Sequence, residues 1–392
     1  MLHSKKVILS LLIVSLLVLP LACAISFGGS QRSASGEGID LVKEVWQIIQ
    51  EDHVNGDSLD SEQLAEGAIE GLIKELDDPY TSYLSPDEYK LSELSLEGKF
   101  SGIGATITIK DDQLTVVAPF EGSPAEEAGI RPGDKILEVN GESTEGMGVH
   151  EAALTIRGER GTKVVLTVLH PDAEEPVELE ITRDEIEVPS VRTDMVEEDI
   201  AHIWLTGFTS RTKGELKSAL EDLSPDVKGI VLDLRDNPGG MLDAAIDVAS
   251  QFLEEGIVLY AMDNEGTRAE WEVKEGGLAT DIPLAVLVNG NSASASEVVA
   301  GAFQDHERGP IIGVKTFGKG SMNHVYELSN GGALYVTYAN WFTPDGRQIE
   351  GKGVEPGIRV EMPEEDVEND RDPQLERAIE YLKQKAEQPT AP

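Results

Sequence analysis

From Glu187 onward the chain sets short apolar runs against longer segments of helical spacing, and no other feature constrains its fold as strongly. The runs "IAHIWLTGF", "GIVLDLRD", "GIVLYAM", "LAVLVNG" and "GPIIGVKTFG" have strand length, whereas "KGELKSALEDL", "MLDAAIDVASQFL" and "SEVVAGAFQDH" repeat apolar residues at helical intervals. Strands that alternate in this way with helices build an α/β layer from crossovers. At 392 residues the chain is too long for one ordinary domain, and two other patterns precede this one.

Residues 39–94 carry helical spacing, through Leu41, Val42, Val45, Ile48 and Ile49 and again through Leu64, Ala68, Leu72 and Leu76, until Asp78-Pro79 is expected to stop it. This region is expected to be a packing or dimerising element, which makes a homodimer one of the expected assemblies. From about Leu96 the period shortens to strands separated by Gly/Pro turns, with a helix over Val149–Ile156, closing near Arg183. The tail "QLERAIEYLKQKAE" reads as one amphipathic helix. The expected organisation is therefore a multidomain chain. It comprises residues 1–36 as signal or anchor segment and linker, 37–95 as a helical region, 96–184 as a β-rich inserted domain, 185–362 as an α/β core, and 363–392 as helix and tail.

A net charge of −41 disfavours nucleic acid and anionic lipid surfaces as partners. Cys23 is the only cysteine, so there is no intrachain disulfide, no thiolate metal cluster and no cysteine nucleophile in the exported part. The seven histidines are scattered and no HExxH occurs. Neither a metal nor another cofactor is expected. Lys5 and Lys6 precede the apolar run Val7–Phe27, which reads as an export signal and is long enough to span a bilayer. "PLAC" resembles a lipoprotein processing site at Cys23, although Pro20 and Leu21 depart from that motif. The expected location is extracytoplasmic, in the cell envelope, with residues 7–27 cleaved, retained as a membrane anchor, or replaced by a lipid on Cys23.

Ser292, Ser294 and Ser296 lie where the run "PLAVLV" gives way to a helix. Ser294-Ala295-Ser296-Glu297 fits the S-x-x-E capping box. The same first turn offers unpaired N–H groups and a partial positive charge, which suit an oxyanion beside a nucleophile. A serine nucleophile needs a base, and no histidine here has the surroundings of a triad. Lys319, between glycines in "TFGKG", serves either as a turn residue or as that base; a lysine base at neutral pH must be kept neutral, which takes burial. "DLRDNPGG", Asp233 to Gly240, is either an ordinary strand-to-helix turn or a place where a backbone N–H faces a pocket.

"SPAEEAGIRPGDKILEVNGE" resembles PDZ domains of bacterial proteases, and "FSGIG" stands at the position of their carboxylate-binding loop. Gly102, Ile103 and Gly104 would then turn successive N–H groups toward a terminal carboxylate, the peptide adding as a strand. Together with "SASASE", "TFGKG" and "DLRDNPGG", and with "DPYTSYLSPDEY" in the helical region, this PDZ-like segment makes residues 39–360 resemble the carboxy-terminal processing peptidases, also called tail-specific proteases, of peptidase family S41. The resemblance implies an exported serine endopeptidase with a Ser–Lys dyad: Ser294 as nucleophile and Lys319, 25 positions on, as base. It further implies Gly240 and Ala295 N–H groups as oxyanion hole, Glu297 in a supporting role, and protein substrates with exposed, apolar C-termini. The family usually places a glutamine where Asn323 stands, to hold the lysine. That departure is the one feature favouring the alternative, a weak or inactive PDZ scaffold that binds protein C-termini. A hydratase-like α/β protein is disfavoured by the PDZ module and the Ser–Lys pair, and no GxSGG supports a trypsin-like protease.

Overall fold

The computed structural model describes residues 37–387, apart from short breaks at 111–112, 121, 172, 174, 364, 367–368 and 370. The apolar run Val7–Phe27 and Cys23 lie outside the described residues. Among the described residues no helix is long and apolar enough to cross a membrane.

The chain divides into two compact units, residues 1–65 and 66–392. In the first, α1 (Glu37–Asp52) follows the expected helical spacing, yet Leu41 and Ile48 on its apolar face are 60% and 51% exposed. Helix α2 (Ser61–Lys74) starts in this unit, where Asp60 Oδ1 accepts the N–H groups of Glu62 and Gln63. It ends at Lys74, four residues before Asp78, and the left-handed Asp77 (φ 51°) turns the chain.

In the second unit the helical expectation for residues 39–94 fails locally. Ser82–Leu84 is a strand, β1, paired antiparallel with Ala333–Tyr335, and a helix resumes only at α3 (Pro86–Leu96), capped by a Ser85/Glu88 capping box. Tertiary pairing outweighs local spacing here, because a three-residue strand carries too little pattern to be read alone.

Strand β2 (Lys99–Gly102) leads into an antiparallel sheet of β3 (Ala105–Lys110), β4 (Gln113–Pro119), β5 (Lys135–Val139), β6 (Glu142–Ser143), β7 (Lys163–Leu169) and β8 (Val177–Thr182). Helices α4 (Pro124–Glu127) and α5 (Val149–Ile156) belong to the same segment. Alternate residues Val164, Leu166 and Val168 of β7 point into its core with Leu114, Ile136 and Ile156. The chain leaves through β9 (Asp184–Glu187), which pairs antiparallel with β2.

The remainder is the α/β layer. Its main sheet runs β10 (Val191–Glu197), β11 (Ile200–Leu205), β12 (Gly229–Asp233), β15 (Leu284–Val288), β16 (Ile311–Gly313) and β19 (Ile358–Arg359); every pairing from β11 on is parallel, and β10 is an antiparallel edge. Strands β12 and β15 are buried at every position because helices cover both faces. Ile230 and Leu232 pack on one face with α6 (Thr212–Glu221), α7 (Leu242–Phe252) and α8 (Ala295–Asp305); Val231 packs on the other with Ala378 and Leu382 of α9 (Pro373–Glu387). A second, antiparallel sheet joins β1, β18 (Ala333–Phe342), β13 (Ile257–Asp263) and β14 (Arg268–Glu272), with β17 (Ser321–Glu327) on β18.

Candidate active site

The turn between β15 and α8 carries all three serines, but they differ in what they touch. Ser292 Oγ donates to the Leu234 carbonyl (2.7 Å) and accepts the Asn289 N–H; Ser296 Oγ donates to the Asn237 carbonyl (2.9 Å). Both are fully buried and pin the turn to the loop after β12. Ser294 between them sits at φ 56°, ψ −116°, a conformation costly for a residue with a side chain. Such a strained strand-to-helix turn projects a side chain away from the sheet it follows.

Gly239 makes this turn fit. A Cβ there (φ 102°) would come within 2.7 Å of Ser294 Cβ and 2.8 Å of the Ala293 carbonyl oxygen, while one on Gly240 would strike the Phe208 carbonyl at 2.1 Å. Asn237 holds the loop, donating Nδ2–H to Leu205 O (2.8 Å) and accepting the Gly239 N–H (2.9 Å). Met241 N–H is taken by Phe208 O (2.7 Å). Among the described residues no hydrogen bond takes up the N–H of Gly240 or of Ala295.

Glu297, fully buried in the first turn of α8, is the clamp of the site. Its Oε2 accepts the N–H of Ser294 (2.9 Å) and of Lys319 (2.8 Å); its Oε1 accepts the Thr316 hydroxyl (2.5 Å) and the Gly318 N–H (2.6 Å). Burial pushes the carboxyl above its ordinary range, and these four donors work against that rise. Glu297 supplies the acidic half of a capping box by accepting the Ser294 N–H and also binds the "TFGKG" loop, so one carboxylate oxygen brings the backbones of Ser294 and Lys319 together.

Lys319 is half-buried. Its Nζ lies 5.4 Å from the centre of the Tyr80 ring, and no hydrogen bond joins it to Ser294 Oγ among the described residues. Among the described residues no hydrogen bond joins Asn323 to the lysine; its Nδ2–H donates to the Tyr80 carbonyl (2.7 Å). Tyr80, Thr316 and Asn237 were not singled out from the sequence. The first lies in "DPYT", two residues before the unforeseen strand β1, and nothing in the local pattern brings residue 80 beside residue 319.

Gly102, Ile103 and Gly104 line an apolar cavity of about 230 Å³ with Phe120, Ile156 and Ile186. The Ile103 carbonyl accepts the Ala125 N–H (2.8 Å) and the Gly104 carbonyl the Phe120 N–H (2.9 Å), which fixes the loop. Arg157 is half-buried at the cavity with its guanidinium carbon 4.9 Å from the Phe100 ring centre.

Residues 199–360 match the model of peptidase family S41, residues 115–169 that of a PDZ domain, and residues 24–88 that described as the activating protease CtpB N-terminal domain. Over 360 residues the chain is 36% identical to the carboxy-terminal processing protease CtpA of Bacillus subtilis (strain 168), an alignment covering 91% of this chain and 77% of that one. The chain belongs to peptidase family S41. Within S41 it is also 40% identical over 310 residues to a carboxy-terminal-processing protease of Bartonella bacilliformis, covering 78% and 71% of the two chains. A solved photosystem II D1 C-terminal processing protease shares 30% identity over 83% of this chain and 88% of its own, with a TM-score of 0.51. The fold expected from the sequence, an S41-type α/β core with an inserted PDZ domain and an N-terminal helical region, is the fold found, and its family is that of serine-type carboxy-terminal processing proteases.

Proposed function

We propose that this S41 member is an exported serine endopeptidase with a Ser294–Lys319 dyad that cuts proteins selected by their C-terminal tails. The observation that carries the reading is the strained Ser294 at the head of α8, its amide sharing one Glu297 oxygen with the amide of Lys319. Neutral Lys319 takes the Ser294 proton as Oγ attacks the peptide carbonyl carbon. The N–H groups of Ala295 and Gly240 stabilise the oxyanion. The lysine ammonium then protonates the departing amine as the peptide C–N bond breaks, and water, deprotonated by Lys319, hydrolyses the acyl-enzyme and regenerates Ser294.

Residues 96–184 supply tail selection in this reading, with Gly102, Ile103 and Gly104 receiving the carboxylate and the apolar cavity receiving the last side chain. Residues 185–362 cut, and residues 1–36 direct export. The binding-only alternative draws on Asn323, which engages Tyr80 and not Lys319.

The test is incubation of the purified protein with an unstructured polypeptide ending in apolar residues, the fragments identified by mass spectrometry. Cleavage by wild type and none by Ser294→Ala or Lys319→Ala is the expected result. Activity surviving Ser294→Ala would overturn the assignment, and a wild type that binds the tail without cutting it would move the scaffold reading ahead.

A further inference from the structure

The contact between Lys319 and Tyr80 has a chemical direction. An ammonium within about 6 Å of an aromatic face is held in its charged form by the ring quadrupole, and the lysine of a dyad must lose that charge to act. Tyr80 is itself fixed from several sides. Its N–H donates to Asp78 Oδ1 (3.0 Å) and its carbonyl accepts from Asn323 (2.7 Å), while the Glu350 carboxylate lies near its phenol. Glu350 in turn accepts the N–H of Gly320, the residue after the lysine (2.9 Å). Burial first, then the charge and hydrogen bond of Glu350, push the phenol up, so the ring stays neutral and its face electron-rich. Glu350, Glu297 and Asp78 are the charged groups that act on Tyr80, and Glu297 also accepts the Lys319 N–H.

We propose that Tyr80 is a positioning residue for Lys319, its ring holding the protonated ammonium off Ser294 and so setting the pH at which the lysine is released as a base. The inference rests on the dyad reading above. It gives the "DPYT" segment, 239 positions upstream of Lys319 and outside the residues matched by the S41 family model, a part in the chemistry. It also gives Asn323 a role through Tyr80 in place of direct contact with the lysine.

The experiment is the pH profile of kcat/KM on the same polypeptide, whose acid limb reports the essential base of the free enzyme. Replacing the ring by Tyr80→Leu removes the attraction for the charged form, so the acid limb moves to lower pH. Tyr80→Phe, which keeps the ring and gives up the phenol, is expected to leave the limb near its wild-type position. Should Tyr80→Leu not fold, Tyr80→Met fills similar space without a π face and is expected to give the same shift. A limb unmoved in the Leu or Met variant overturns the Tyr80 proposal while leaving the dyad standing. Wild-type rates in Lys319→Ala sink the dyad reading itself, whatever the Tyr80 variants do.

Discussion

A carboxylate that accepts four hydrogen bonds inside the protein has few substitutes. Glu297→Ala would strand the donors on Ser294, Thr316, Gly318 and Lys319, at about 1–3 kcal/mol for each left unpaired. Glu297→Gln is instructive because it keeps the shape: its carbonyl oxygen still accepts from Thr316 and Gly318, but its amide N–H₂ then faces two N–H donors. The expected outcome is a folded variant with a lowered Tm and cleavage slowed at least about tenfold, checked by thermal denaturation and kcat on one preparation. At this scale the sequence was a partial guide. The S-x-x-E spacing announced the link from Ser294 to Glu297, since both ends lie in one helical turn. The other three donors come from residues 316–319, across a strand crossing that local spacing does not encode.

Between elements, the loop after β12 and the start of α9 are joined by charge. Arg235 donates to both oxygens of Asp233 and, through Nη1 and Nη2, to Asp372 (2.9 and 2.8 Å), just ahead of the helix. Burial opposes the charge on Asp233, but hydrogen bonds from His202 and Arg235 outweigh it and hold the carboxyl below its ordinary range. A carboxyl whose folded value is depressed contributes stability that is present above its unfolded pKa and lost as pH falls through the folded one. Acid unfolding followed by circular dichroism below about pH 4 is therefore expected to weaken α9 docking, and Asp233→Asn to flatten that dependence while lowering stability at pH 7. The amphipathic tail and the buried strands could be anticipated because their periods are long or unbroken. Ser82–Leu84 could not, since its order comes from β18, some 250 positions away.

Over the whole molecule, a net charge of −41 makes self-repulsion a standing cost of the compact state. Screening shortens its reach to about 10 Å at 0.1 M salt, so raising KCl from roughly 10 to 150 mM is expected to increase Tm by about 2–5 °C. A Tm that falls or stays level would show that attractive ion pairs such as Arg235–Asp233 dominate instead. The ribbon of β2 and β9 bears on the molecule in another way. Lys99 pairs with Glu187 and Gly102 with Asp184, so the chain departs from the α/β core and comes back to it through neighbouring positions, about 5 Å apart. To the core, everything between those strands is equivalent to a tight turn. A PDZ domain with such a stem can be exchanged for another, or deleted down to a hairpin, without refitting the sheet that carries the serine turn, so the two domains can be inherited and engineered separately.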